Sequence, residues 1–192
     1  MKKGRLEAFS DAVFAIIITI MVLDIDPPED TDSFKALVRI IPVFISYLLS
    51  FVYIGIYWNN HHHIMNITEK VNNRILWANL NLLFWISLIP FATSWADENY
   101  HAPVPVAVYG IILLLCAISF RLLELTLIKY HGENFPLRKA IRRGRKEKIS
   151  ICIYIISVIS SYLSTVLSIA GYVAVALLWF WPSKELENIS SE

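Results

Sequence analysis

Charge and cysteine are both scarce in this chain: only 17% of its 192 residues are Asp, Glu, Lys or Arg, and it has 2 cysteines. A soluble domain carries about 25% charged residues. With 56% hydrophobic and 13% aromatic residues as well, the composition excludes an ordinary soluble domain and points to an integral membrane protein. Cys116 and Cys152 both lie in apolar runs. There they read as small packing residues, which excludes disulfide and thiolate-metal chemistry as an organising theme. Gly-x-Ser-x-Gly and His-Glu-x-x-His are also missing. Ser10, Asp11 and a distant histidine supply the residue types of a hydrolase without its spacing, so no catalytic residue and no enzyme are expected. Finally, no small-x-small cleavage site follows Leu23, where Asp24-Ile25-Asp26-Pro27-Pro28 stands instead. Lys2, Lys3 and Arg5 ahead of an apolar run are therefore not expected to head a cleaved signal peptide.

What is there is a succession of apolar runs. Ala12 to Leu23 is uninterrupted, but covers only about 18 Å of a ~30 Å hydrocarbon core. The helix can cross if Phe9, Ser10 and Asp11 are buried against protein, and an ionisable residue at that depth marks a functional site. Further runs extend from Ile40 to Trp58, from Ile75 to Trp95 with Asn79, Asn81 and Pro90 inside it, and from Ala102 past Arg121 and Glu124 to Ile128. Arg121 and Glu124 share a helical face and can pair. The last run, Ile149 to Trp181, would make one helix of about 50 Å. Two shorter helices joined by a hairpin near Ser168 to Gly171 resolve that excess. The prediction is an all-α integral membrane protein of six transmembrane helices, at about 4–26, 34–60, 72–97, 102–130, 145–167 and 169–186, with a short tail at 188–192.

The 17 Lys and Arg residues are unevenly placed. Lys2, Lys3, Arg5, Lys70, Arg74, the basic stretch from Lys129 to Lys148, and Lys184 all fall on one side of a six-helix arrangement. That side is cytoplasmic by the positive-inside rule, so both termini are expected there. Asp24, Asp26, Glu29, Asp30, Asp32, Asp97 and Glu98 fall opposite, with Lys35 and Arg39 as exceptions. Topogenic charge and lipid contact account for the basic stretch, and nucleic acid is not an expected partner.

On the first helix, Phe9, Ala12, Val13, Ile16, Thr19, Ile20 and Leu23 fall within about 60° of Ile16 at ~100° per residue, a continuous stripe from which Ser10 and Asp11 point away. Around a symmetry axis, rings of Ile16, Ile20 and Leu23 form an apolar constriction that gates by dewetting. Thr19 can offer hydroxyl oxygens to a partly dehydrated cation, or bond back to its own helix. Asp24 and Asp26 would concentrate cations at the mouth. His61, His62 and His63 are consecutive, and residues 100° apart on a helix do not converge on one ion, so no metal site is expected.

Arg5-Leu6-Glu7-Ala8-Phe9-Ser10-Asp11, with its Arg-x-x-x-Phe-Ser-Asp pattern, resembles the opening of the transmembrane protein 175 family of potassium channels. Trp58-Asn59-Asn60-His61-His62, Asn79-Leu80-Asn81-Leu82-Leu83 and Pro90-Phe91 are similar to its other signatures. Like that family, the chain has no Thr-Val-Gly-Tyr-Gly filter. The family's animal lysosomal members carry two six-helix repeats and dimerise, whereas prokaryotic members carry one and form tetramers. The resemblance therefore implies a homotetramer in a prokaryotic plasma membrane, with potassium ions as the permeant species, no cofactor, and helix 1 lining a central pore. It puts the gate at Ile16, selectivity at Thr19, and further narrowing at Ile20 and Leu23. Arg5, Phe9, Ser10 and Asp11 become anchors of helix 1, with Trp58 and His61 or His62 as partners. A proton-coupled transporter or proton-permeable channel, suggested by Asp11, Glu7 and the histidines, stands as the alternative.

Overall fold

The computed structural model describes residues 2–27, 34–132, 135–138 and 145–180, except the side chains of 35, 36 and 145. Glu29, Asp30, Asp32, Lys139, Arg142, Arg143, Trp181, Lys184 and the 188–192 tail lie outside the described residues. The described part is all helical: α1 (Lys3–Met21), α2 (Phe34–Asn66), α3 (Asn73–Ser87), α4 (Ile89–Glu98), α5 (Pro103–His131), α6 (Arg145–Ser160) and α7 (Thr165–Phe180). Lys3–Asp24, Leu37–Asn66, Asn73–Glu98 and Pro103–His131 are each long and apolar enough to cross a membrane, and α7 is a shorter apolar helix.

Local chemistry sets the boundaries. Asn72 caps α3 by accepting the Ile75 backbone N–H at 3.0 Å. Pro90 follows immediately on the α3–α4 junction at Leu88. Lacking an N–H, proline cannot bond the carbonyl one turn earlier, which breaks the rod there. Gly132 ends α5 with φ of 88°, a left-handed conformation that glycine adopts without strain. The Arg121 guanidinium does pair with Glu124, at 3.1 Å.

The break at Leu88 divides the single helix expected over 72–97, and two boundaries also differ from expectation. Helix α2 continues to Asn66 rather than ending near position 60. His61, Ile64 and Met65 are fully buried, and the His62 ring bonds the Asn66 amide at 2.9 Å, so the last turns are held by both packing and side chains. The hairpin between α6 and α7 falls at 161–164, not at Ser168 to Gly171. Ser161 bonds the Val158 carbonyl at 2.7 Å and closes α6. Ser168, already inside α7, donates to the Ser157 carbonyl at 2.6 Å. Gly171 is a contact rather than a turn: a side chain there would collide with the Ser157 hydroxyl. Glycine thus permits the close approach that a helix pair in lipid needs.

Helix α5 is the centre of the subunit, packed on α3, α4, α6 and α7, while α1 lies at the periphery against α2 and α3. Leu113, Cys116, Leu123 and Leu127 of α5 are completely enclosed.

A candidate pore helix and its anchor

Helix α1 has two faces. Leu6, Ser10, Phe14, Ile17 and Met21 are buried against α2 and α3. On the other side, Phe9, Ile16, Ile20 and Leu23 are 51%, 55%, 47% and 76% exposed in the subunit, and Ala12 and Thr19 are exposed with them.

Hydrogen bonds hold the inner face with a definite direction. The Asn79 amide donates to the Ser10 hydroxyl at 2.9 Å, and that hydroxyl donates onward to the Leu6 carbonyl at 2.9 Å. With its amide so placed, Asn79 presents Oδ1 to the Nε2 of His61 at 2.8 Å, which puts the imidazole proton on Nε2. Ser10, His61 and Asn79 are each fully buried, and Phe14 sits against the His61 ring with centroids 5.7 Å apart. Nearer the surface, the Trp58 indole donates to Asp11 Oδ1 at 3.1 Å, and the Glu7 carboxylate stands 4.0 Å from His62 Nδ1. Trp58 stacks on His62. In lipid, apolar packing between helices has no hydrophobic driving force, and each such bond contributes about 0.6–2 kcal/mol to fixing α1.

The structure therefore brings Ser10, Asp11, Trp58, His61 and His62 together. Arg5 and Phe9 stand outside: both are exposed, and among the described residues the Arg5 side chain forms no hydrogen bond or ion pair. Asn79, the residue that joins α1 to α2, comes from α3; the cue to it was one of two amides in an apolar run, within the Asn79-Leu80-Asn81-Leu82-Leu83 signature. Glu7, which the sequence grouped with Asp11 and the histidines, stands beside His62.

On the outer face, the Thr19 hydroxyl donates to the Ile16 carbonyl at 2.9 Å. Ile16 and Ile20, with Val13, Phe91 and Trp95, line a groove of 740 Å³ between α1 and α4 that reaches Asp24 and Glu98. A second hollow, of 200 Å³, contains Asp24, Asp26, Asp97 and Glu98, so both expected mouth acids sit at one end of the subunit with two more carboxylates. Among the described residues no three His, Cys, Asp or Glu side chains converge as a metal site.

Comparison with known proteins gives this arrangement a context. A family profile described as endosomal/lysosomal potassium channel TMEM175 matches residues 5–90, which hold nearly all of α1, the whole of α2 and α3, and the first residues of α4. The chain is 50% identical over its whole length to a protein named a potassium channel from Chryseobacterium sp. (strain P1-3), also covered in full. It is 31% identical to an endosomal/lysosomal proton channel TMEM175 of Gallus gallus, over 77% of this chain and 32% of that protein. Its fold matches the crystal structure of a lysosomal potassium-selective channel TMEM175 homolog from Chamaesiphon minutus, with a TM-score of 0.80, 28% identity, and coverage of 92% of this chain and 95% of that one. A multi-pass helical chain with a buried Ser10-Asn79-His61 anchor, matched end to end by a bacterial potassium channel, belongs to the TMEM175 family.

Proposed function

We propose that the protein is a potassium-selective channel that conducts passively through a central pore, lined by α1 from four identical subunits. The observation that carries this reading is the division of α1. Its polar groups turn inward to Asn79 and Trp58, while an apolar stripe with a single hydroxyl is left uncovered. A lone subunit gains nothing from presenting Thr19 to lipid, whereas around an axis the same stripe becomes a pore wall. Ile16, Ile20 and Leu23 then form a hydrophobic gate that closes by dewetting, and Thr19 supplies oxygens to a partly dehydrated potassium ion. Asp24 and Asp26 raise the local cation concentration at the mouth. The 740 Å³ groove beside Ile16 and Ile20 offers room for a neighbouring subunit's helix. The distribution of basic residues supports cytoplasmic termini in a prokaryotic plasma membrane, with lipid and potassium ions as the remaining partners and no cofactor.

Purified protein in liposomes is expected to release potassium down its gradient, with sodium slower. Ile16→Ala, which widens the constriction, is expected to raise the flux. Absence of any flux across voltage and pH overturns the channel reading; an unchanged flux in Ile16→Ala moves the constriction elsewhere.

A second reading, a proton-permeable channel or proton-coupled transporter, is favoured by the Glu7–His62 contact at the start of α1 and by the proton-channel name of the Gallus gallus relative. Concentrative uptake driven by a pH gradient would select the transporter.

A further inference from the structure

A hollow of about 50 Å³ lies among α2, α5, α6 and α7, and α1 contributes no residue to it. Tyr57 and Asn60 bring α2 to its wall. They share turns of that helix with Trp58 and His61, which bond to Asp11 and Asn79 in the anchor of α1. Arg121 and Glu124 come from α5 and Glu147 from α6. The Trp179 indole of α7 donates to the Ser150 hydroxyl of α6 at 2.8 Å, which ties those two helices together at the same wall.

The polar groups around the hollow do not satisfy one another. Tyr57 is 9% exposed and Asn60 8%. Among the described residues the Tyr57 hydroxyl has no hydrogen-bond partner. Asn60 spends its amide on the Ile56 carbonyl at 2.8 Å and leaves its own Oδ1 open. Charge is unmatched as well: one Arg121 nitrogen meets Glu124 at 3.1 Å and Glu147 at 3.8 Å, so two carboxylates share one guanidinium. Neither Lys146 nor Lys148 lines the hollow. Polar groups and carboxylates withdrawn from water are costly without partners. The hollow therefore suits an occupant that donates hydrogen bonds and carries positive charge.

Its size and its walls narrow the choice. At ~15 Å³ for each water-sized group, the space holds about three non-hydrogen atoms. Much of the wall is aromatic or aliphatic: the Tyr57 and Phe120 rings stand side by side with centroids 6.0 Å apart, next to Ile56 and Ala117. A bare potassium ion asks for a shell of oxygens in place of its water, which such a wall does not supply. An ammonium group on a short hydrocarbon stem matches every part. Its three N–H donors correspond to the Glu124 and Glu147 carboxylates and the Asn60 Oδ1. Its charge is attracted to aromatic faces, and its stem packs on Ile56 and Ala117. A quaternary ammonium fails twice, since it has no N–H and its four methyl groups exceed the space.

We propose that this hollow is a binding site for a small primary ammonium group, held by Glu124, Glu147 and Asn60 beneath the rings of Tyr57 and Phe120. The site is separate from the pore and does not depend on potassium conduction. Thermal unfolding of the full chain in detergent tests it, with ethylammonium chloride titrated against potassium chloride at equal ionic strength. Ethylammonium is expected to raise the unfolding temperature saturably, by binding the folded state alone. Half-saturation is expected on the order of 1 mM, the best a ligand of three non-hydrogen atoms can reach. Tyr57→Phe, which deletes one hydroxyl, and Glu147→Gln, which deletes one charge near the start of α6, are each expected to weaken half-saturation about tenfold. Should the buried Tyr57→Phe fail to assemble, Glu147→Gln decides. Glu69→Gln, an exposed carboxylate elsewhere, is expected to keep the full effect. The same titration in nanodiscs of phosphatidylcholine, with and without phosphatidylethanolamine, separates two sources of the ammonium. An ethylammonium effect suppressed by phosphatidylethanolamine assigns the site to a lipid headgroup; one left intact assigns it to a free amine. No shift beyond that of potassium chloride, an equal shift with tetramethylammonium, or full retention of the shift in both Tyr57→Phe and Glu147→Gln overturns the site.

Discussion

Thr19 spends its own hydrogen on the Ile16 carbonyl, which leaves the lone pairs of Oγ1 directed away from the helix. A cation needs lone pairs and is repelled by the hydrogen, so the bond back to the helix prepares the oxygen as an ion ligand rather than disabling it. Thr19→Ala is expected to reduce the potassium-to-sodium permeability ratio about tenfold, ~1.4 kcal/mol of differential stabilisation, read from bi-ionic reversal potentials. An unchanged ratio removes Thr19 from the ion path. Asn79 is the other decisive residue. Asn79→Ala strands the buried Nε2–H of His61 and removes the donor to Ser10, so a loss of about 1–3 kcal/mol is expected in thermal or denaturant unfolding in detergent. A change of a few tenths would show that packing alone holds α1. The ~100° helical period was enough to turn Ser10 and Asp11 away from the Ile16 stripe on paper. It could not supply Asn79, which meets Ser10 across 69 positions of sequence. The same period had set Phe9 on the Ile16 stripe, and it is with that stripe, not with the anchoring residues the resemblance grouped it with, that Phe9 is exposed.

Among the elements, α2, α6 and α7 are the ones whose limits needed tertiary contacts. Counting apolar residues stops α2 at Trp58, since Asn59, Asn60 and the histidines look like a solvated end; the burial of His61, Ile64 and Met65 carries it on. In α6 and α7 the sequence offers serines throughout, and every one of them is compatible with a turn. The turn forms at 161–164 because Gly171 has a competing use, as the point where α7 lies against Ser157. Gly171→Val is expected to push the two helices apart and destabilise the subunit by about 1–3 kcal/mol, visible as a lowered unfolding temperature of the detergent-solubilised protein. Full stability in that variant would return Gly171 to the role of a simple hinge. The break between α3 and α4 was not read from the sequence, where 72–97 was expected as one helix, although proline's missing N–H acts locally whatever surrounds it.

At the scale of the molecule, the subunit leaves an uncovered apolar stripe on α1 and an adjoining groove with Phe91 and Trp95. A homotetramer is expected to bury both. Native mass spectrometry in a mild detergent, or cross-linking in the membrane, should give a species of four chains, and a strictly monomeric protein would leave Ile16 and Thr19 facing lipid with no pore to line. The sequence by itself determined that the chain is helical and membrane-embedded, which end carries the basic charge, and which residues of α1 share a face. Those properties follow from composition and from a fixed helical period, and neither needs a neighbour. Only the tertiary structure decided that His61 and Ser10 meet through Asn79, where α6 gives way to α7, and that Ser46 of α2 bonds Asp97 of α4. Each of these depends on groups far apart in sequence competing for the same small space and the same hydrogen-bond partners, a contest that close packing settles and periodicity does not.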